Sequence, residues 1–77
     1  MKTDDEIRNT IRNNLKQLRI ANHKTQLDIA KLTEKSENAV GSWEQGLSLP
    51  DITTLYKLAL YYNKTIDYLY ENHSEGK

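Results

Sequence analysis

Between Thr25 and Gly46 the chain reads T-Q-L-D-I-A-K-L-T-E-K-S-E-N-A-V-G-S-W-E-Q-G, and this stretch limits the possible folds more than any other. Thr25 is a good helix N-cap, because its hydroxyl accepts from an otherwise unpaired amide of the first turn. Asp28, three residues on, makes a weaker form of the reciprocal capping box that normally uses Glu or Gln. Ile29, Ala30 and either Leu32 or Thr33 then line one face at helical spacing. A second cap, Ser36, opens another helix with Val40 and Trp43 inward, and Gly46 supplies a left-handed stop. Two short helices joined by a tight turn are expected, with a motif spanning about residues 25–46. That geometry serves to present a second helix to a nucleic-acid groove.

With Thr25-Gln26, Ile29-Ala30, Ser36, Val40, Trp43-Glu44 and Gly46 in register, the stretch resembles the helix-turn-helix of the lambda-repressor-like (Cro/cI-type, XRE) DNA-binding family. The likeness extends to Leu18-Arg19 before the motif and to Pro50, Leu55, Leu58-Ala59, Ile66-Asp67 and Leu69 after it, so it covers roughly residues 7–70. It implies an all-α, compact five-helix domain over residues 1–71, followed by a flexible tail at 72–77. The departure is at the turn. The family carries an apolar residue, Gly and a second apolar residue where this chain has Thr33, Glu34 and Lys35. If Glu34 is left-handed it is strained; otherwise the helix continues and the turn shifts by a residue.

Seventy-seven residues make one domain near the lower limit for an unaided core, so a homodimer is physically useful. Cysteine is absent, which excludes disulfides and thiolate metal sites. His23 and His73 lack partners at ligand spacing, so neither a metal nor another cofactor is expected. No apolar run is long enough for a membrane span or a signal sequence. The composition reads as cytoplasmic, soluble and helical, and the resemblance implies a bacterial or phage-encoded, nucleoid-associated protein. Formal charge is zero, an unexpected balance for a phosphate binder, but it is unevenly spread. Residues 1–24 carry six basic and three acidic side chains, a net of +3, while residues 25–50 carry two and four, a net of −2.

Along the chain, Thr3-Asp-Asp-Glu6 is a full capping box, and Asp4, Asp5 and Glu6 sit where the helix dipole favours acids. The first helix runs to about Ala21 with Ile7, Ile11, Leu15 and Leu18 stacked on one face. Arg8, Arg12, Lys16 and Arg19 form a second row, either a solvated face or a set of phosphate contacts beside the motif. Asn22 is the expected left-handed stop, and His23 a surface loop residue. After the motif, Asp51 caps a fourth helix running to about Tyr62, with Ile52, Leu55, Leu58, Ala59 and Tyr62 inward. Asn63 stops it, and Thr65 caps a short fifth helix bearing Ile66 and Leu69. All five tyrosines fall between Tyr56 and Tyr70. Tyr61, Tyr68 and Tyr70 exceed the needs of the core and form a possible dimer surface, since tyrosine is enriched at interfaces.

The resemblance implies roles for particular residues. It pairs Arg19 with Glu44 as a buried structural ion pair, which removes Arg19 from the DNA contacts. It places DNA contacts at Gln26, Lys35, Ser36, Glu37, Asn38, Gly41, Ser42 and Gln45. Asn38 is chemically apt, because a side-chain amide pairs bidentately with adenine N6 and N7, and Glu37 can accept from cytosine N4. Gly41 removes bulk in mid-helix at a cost of about 1 kcal/mol relative to Ala. No Arg or Lys lies between Glu37 and Gln45, so guanine readout is not expected, and Leu47 and Ser48 stand where relatives carry basic residues. The leading expectation is a repressor-like regulator of double-stranded DNA acting as a homodimer. The alternative is a protein-interaction module of the same fold, with a toxin or an antirepressor as partner. An enzyme is the weakest class, because no nucleophile–base pair, metal cluster or phosphate-cradling Gly loop is present.

Overall fold

The computed structural model describes residues 2–73, which form five helices: α1 (Asp4–Ala21), α2 (Gln26–Thr33), α3 (Glu37–Gln45), α4 (Ile52–Tyr61) and α5 (Ile66–Leu69). Each begins at a side-chain cap within three residues of the amide it serves. Thr3 and Glu6 complete a capping box, with Glu6 N donating to Thr3 Oγ1 at 3.1 Å and Thr3 N donating to Glu6 Oε1 at 2.8 Å. Thr25 and Asp28 do the same at 3.0 and 2.9 Å, so Asp closes the box as completely as Glu. Ser36, Asp51 and Thr65 accept from Ala39 N, Thr54 N and Tyr68 N. Each cap settles an amide that the helix itself leaves unpaired.

The first four helices stop on or beside left-handed residues. Glu34 has φ 61°, and Lys35 N donates to Ala30 O at 3.0 Å while Glu34 N donates to Lys31 O at 3.3 Å, a Schellman closure. The strained option for the turn is therefore the one adopted, with a Cβ in a conformation that costs an L-residue about 1–2 kcal/mol. Gly46 (φ 80°) and Asn63 (φ 60°) close α3 and α4 in the same manner. At the end of α1 the left-handed residue is His23 (φ 57°), not Asn22. Asn22 stays near helical geometry and turns its Nδ2 back onto Leu18 O at 2.7 Å, which passes the reversal one residue on.

One core joins all five helices: Ile11, Leu15 and Leu18 of α1, Ile29 and Ala30 of α2, Val40 and Trp43 of α3, Leu55, Leu58 and Ala59 of α4, then Tyr62 and Leu69. Ile7 and Ile66 pack against its edge. Thr33, not Leu32, is the third inward residue of α2. Its hydroxyl donates to Ile29 O at 2.8 Å, so the polar atom is satisfied inside the helix. Ile52 was expected inward but lies 75% exposed, and Thr54 is buried in its place. Leu55, Leu58, Ala59 and Tyr62 define the inward arc of α4, and Ile52 and Thr54 lie at its two edges; of these, only Thr54 is covered.

α5 is held by Asn14, a buried amide in the middle of α1. Its Nδ2 donates to Leu69 O at 2.9 Å and Glu71 O at 2.7 Å, with Tyr68 O at 3.3 Å. One amide thus serves the carbonyls that a four-residue helix leaves open at its end. His73, expected in a flexible tail, stacks on Tyr68 with centroids 3.7 Å apart and places Nε2 2.8 Å from Tyr68 O. The remainder of that tail, 74–77, lies outside the described residues.

Candidate nucleic-acid interface

α3 is fixed from behind by a polar knot. Glu44, with only 6% of its side chain exposed, receives Arg19 Nε at 2.7 Å and Arg19 Nη2 at 3.0 Å. Arg19 Nη1 donates further to Lys24 O at 2.9 Å. The bidentate pair therefore ties the end of α1, the link to α2 and the last turn of α3 into one unit. The hydrogen bond to Glu44 holds the Arg19 guanidinium above its ordinary pKa, against the opposing effect of burial.

Gln26, at the first turn of α2, joins the same knot by donating Nε2 to Glu44 Oε1 at 3.0 Å. One amide proton is thereby committed inward, leaving the second proton and Oε1 for an outside partner. Oε1 lies 3.6 Å from the point where a Cβ on residue 41 would sit, and Gln45 Nε2 lies 4.0 Å from it. Gly41 is buried beneath these two amides instead of standing open on the outer face. A Cβ at residue 41 would meet both glutamine side chains at ordinary contact distance, so the two amides, not Gly41 itself, are the groups presented at this point.

The open face of α3 carries Glu37, Asn38 and Gln45, with Ser42 half-buried and the cap Ser36 at its head. Ser42 Oγ and Ser48 Oγ share a hydrogen bond at 2.8 Å, which pins the link after α3 to the middle of the helix. Ser48 thereby joins the face; residue spacing carries no signal for that contact. Lys35 lies at the turn and reaches Asp51 at 3.6 Å, both side chains well exposed, so the pairing is weak and the ammonium still faces solvent. From the basic row of α1, Arg12 comes to the end of α3, where its Cδ is 3.1 Å from the Cβ position of Gly46. A guanidinium there suits the negative end of the helix dipole.

Two acids limit how strongly this face draws phosphate. The amide and hydroxyl of Thr25 hold the Asp28 carboxyl below its usual range, so a negative charge occupies the head of α2 at neutral pH. Glu37 adds another at the head of α3. What the face offers is amides and hydroxyls on a rigid helix, with few cations around them. Among the described residues no cluster of His, Cys, Asp or Glu could hold a metal ion, and no helix is long and apolar enough to cross a membrane.

Compared with known families, residues 15–69 match a helix-turn-helix family model. The chain belongs to the XRE/lambda-repressor-like helix-turn-helix family. The match runs from Leu15 in α1 to Leu69 in α5 and takes in the whole motif. No curated protein and no solved structure matches the chain. Members of this helix-turn-helix family are in general DNA-binding regulators, generally without enzymatic activity, and DNA is the partner that membership implies.

Proposed function

We propose that this helix-turn-helix protein is a sequence-specific, repressor-like transcriptional regulator that lays α3 in the major groove and works as a homodimer on an inverted repeat. The observation that carries the reading is Asn38. It is exposed on the open face of a helix whose far side is locked by Glu44 and Arg19. A side-chain amide so placed can accept from adenine N6 and donate to N7, which predicts A·T pairs at the centre of each half-site. Gln26, with one amide proton held by Glu44, would set the register through a phosphate or an outer base. Ser36, Glu37, Ser42, Gln45 and Lys35 complete the contact set, with Ser48 and Arg12 at its edges. Gly41 lies in the same patch, beneath the Gln26 and Gln45 amides. Half-sites would lie about 34–36 Å apart, one helical turn, or at a multiple of it.

A second reading keeps the fold and replaces DNA with a protein partner, a toxin or an antirepressor. Asp28 and Glu37 at the heads of α2 and α3, with no cation on α3, favour it. Asn38→Ala separates the two. In the DNA reading it lowers affinity for the cognate site by at least about tenfold, the loss of one bidentate base contact, and leaves binding to random DNA unchanged. An unaltered cognate affinity would remove Asn38 from the interface.

A further inference from the structure

Along the flank of α1 that meets α5 runs an open cleft of about 820 Å³, lined by α1 on one side and by Tyr68 and His73 on the other. Its size is that of a small-molecule site. The lining is polar without net charge, because its Lys2 and Glu6 cancel. Asn14 lies at the bottom, only 7% exposed. Its Nδ2 protons are committed to the carbonyls of Tyr68, Leu69 and Glu71, and three acceptors around one atom leave no doubt which end of the amide carries nitrogen. Oδ1 therefore has a fixed direction, and none of the described residues donates to it. The tie to α5 uses Nδ2 alone, so Oδ1 is an acceptor left over in the cleft.

Two more acceptors are fixed in a similar way. Thr10 gives its hydroxyl proton to Glu6 O at 2.9 Å and keeps its lone pairs. His73 holds Nε2 2.8 Å from Tyr68 O, so that nitrogen carries the proton and Nδ1 of the neutral ring accepts. Beside them Asn13 and Gln17, both exposed and about 6 Å apart along α1, add amide donors. A hydroxyl group donates one hydrogen bond and accepts others. Fixed acceptors set beside free amides therefore suit several hydroxyls on one molecule, each giving its proton to an acceptor and receiving one from an amide. We propose that this cleft binds a neutral polyhydroxylated molecule the size of a mono- or disaccharide, anchored on Asn14 Oδ1. An anion would meet one ammonium opposed by a carboxylate. A polycation would find only Glu6, whose Oε1 already accepts from Thr3 N. An apolar ligand would bury Asn14 Oδ1 unpaired. Thr10, Asn13, Asn14 and Gln17 lie about 120–180° around α1 from Arg19, which meets α3, so the site is separate from the reading face.

Titration of the isotope-labelled full chain with glucose, galactose and trehalose, followed by its backbone and side-chain amide resonances, tests the proposal. At least one sugar is expected to shift the Thr10–Gln17 and Tyr68–His73 resonances saturably, with half-saturation at about 1 mM or below. Inorganic phosphate, spermidine and glycerol should leave them in place. Thr10→Val keeps the shape of the side chain and removes the acceptor, and Gln17→Ala removes an exposed donor. Each should weaken binding by about fivefold, the loss of one hydrogen bond, with an unchanged melting temperature. Asn38→Ala should bind the sugar as the wild type does. Resonances that no sugar moves, equal shifts with phosphate, spermidine or glycerol, or full affinity in both Thr10→Val and Gln17→Ala would each overturn the proposal.

Discussion

Replacing Arg19 with Met tests what holds α3 in place. The substitution keeps most of the apolar stem and removes the guanidinium, so Glu44 loses two of its three hydrogen bonds and keeps only Gln26 Nε2. Lys24 O loses its donor as well. With 6% of the Glu44 side chain exposed, little solvent can replace what is lost. Stranding one member of a buried pair costs about 3–5 kcal/mol, and the surviving Gln26 bond places this case near about 3 kcal/mol. A domain of this size has a total stability of roughly 4–11 kcal/mol at the usual value per residue. The variant should therefore fold, but with a markedly lower urea midpoint and an unchanged slope. Trp43 is the single tryptophan and is buried against the core, so its fluorescence reports the transition. The double variant Arg19→Met/Glu44→Leu should recover at least about 2 kcal/mol, because the isolated charge is gone. A loss below about 1 kcal/mol in the single variant, or a double variant no more stable than the single, would refute the reasoning.

Other outcomes follow from the same packing. Glu34→Gly should stabilise the chain by about 0.5–1 kcal/mol, the left-handed strain relieved less the extra freedom glycine has when unfolded, read as a higher melting temperature. Asn14→Asp should destabilise far more than Asn14→Ala, because it turns a carboxylate onto the carbonyls of Leu69 and Glu71; urea denaturation distinguishes the two. Burial pushes the Tyr62 phenol up to about 12 from an ordinary 10.0. Its contribution is complete below pH 10 and is lost as pH rises through 12. The wild type should therefore lose stability over that alkaline range more steeply than Tyr62→Phe does.

Helix starts were legible in the sequence because a cap and its amide are neighbours. Thr3, Thr25, Ser36, Asp51 and Thr65 each act on an amide three residues away. The aliphatic core was legible for a similar reason, since period alone assigns Ile11, Leu15, Leu58 and Leu69 inward. Buried polar residues were not. Asn14 is inside because the carbonyls of α5 need a donor, and Thr33 because its hydroxyl can turn back onto its own helix; neither requirement shows in spacing. Ile52 keeps the helical period of Leu55 and Ala59 yet is exposed at the first position of α4, so period alone does not decide burial at a helix end. The pairing of Arg19 with Glu44 was implied by the family resemblance and is present as a bidentate contact; the same resemblance singled out Gln26 and Asn38, which lie half-buried and exposed, respectively. The burial of Gly41 beneath two glutamines and the clasp of Ser42 with Ser48 depend on side-chain reach across elements, which the motif does not encode.

We propose that α3 reads DNA mainly by amide and hydroxyl contacts, with few phosphate pairs. Fluorescence anisotropy with a labelled fragment of the DNA beside the protein's own coding region, over a salt series and with unlabelled random competitor, tests it most directly. Saturable binding that survives the competitor is expected, with affinity falling only as about the second to fourth power of salt, as two to four phosphate contacts require. Absence of binding even at low salt, where non-specific contact alone should register, would contradict it.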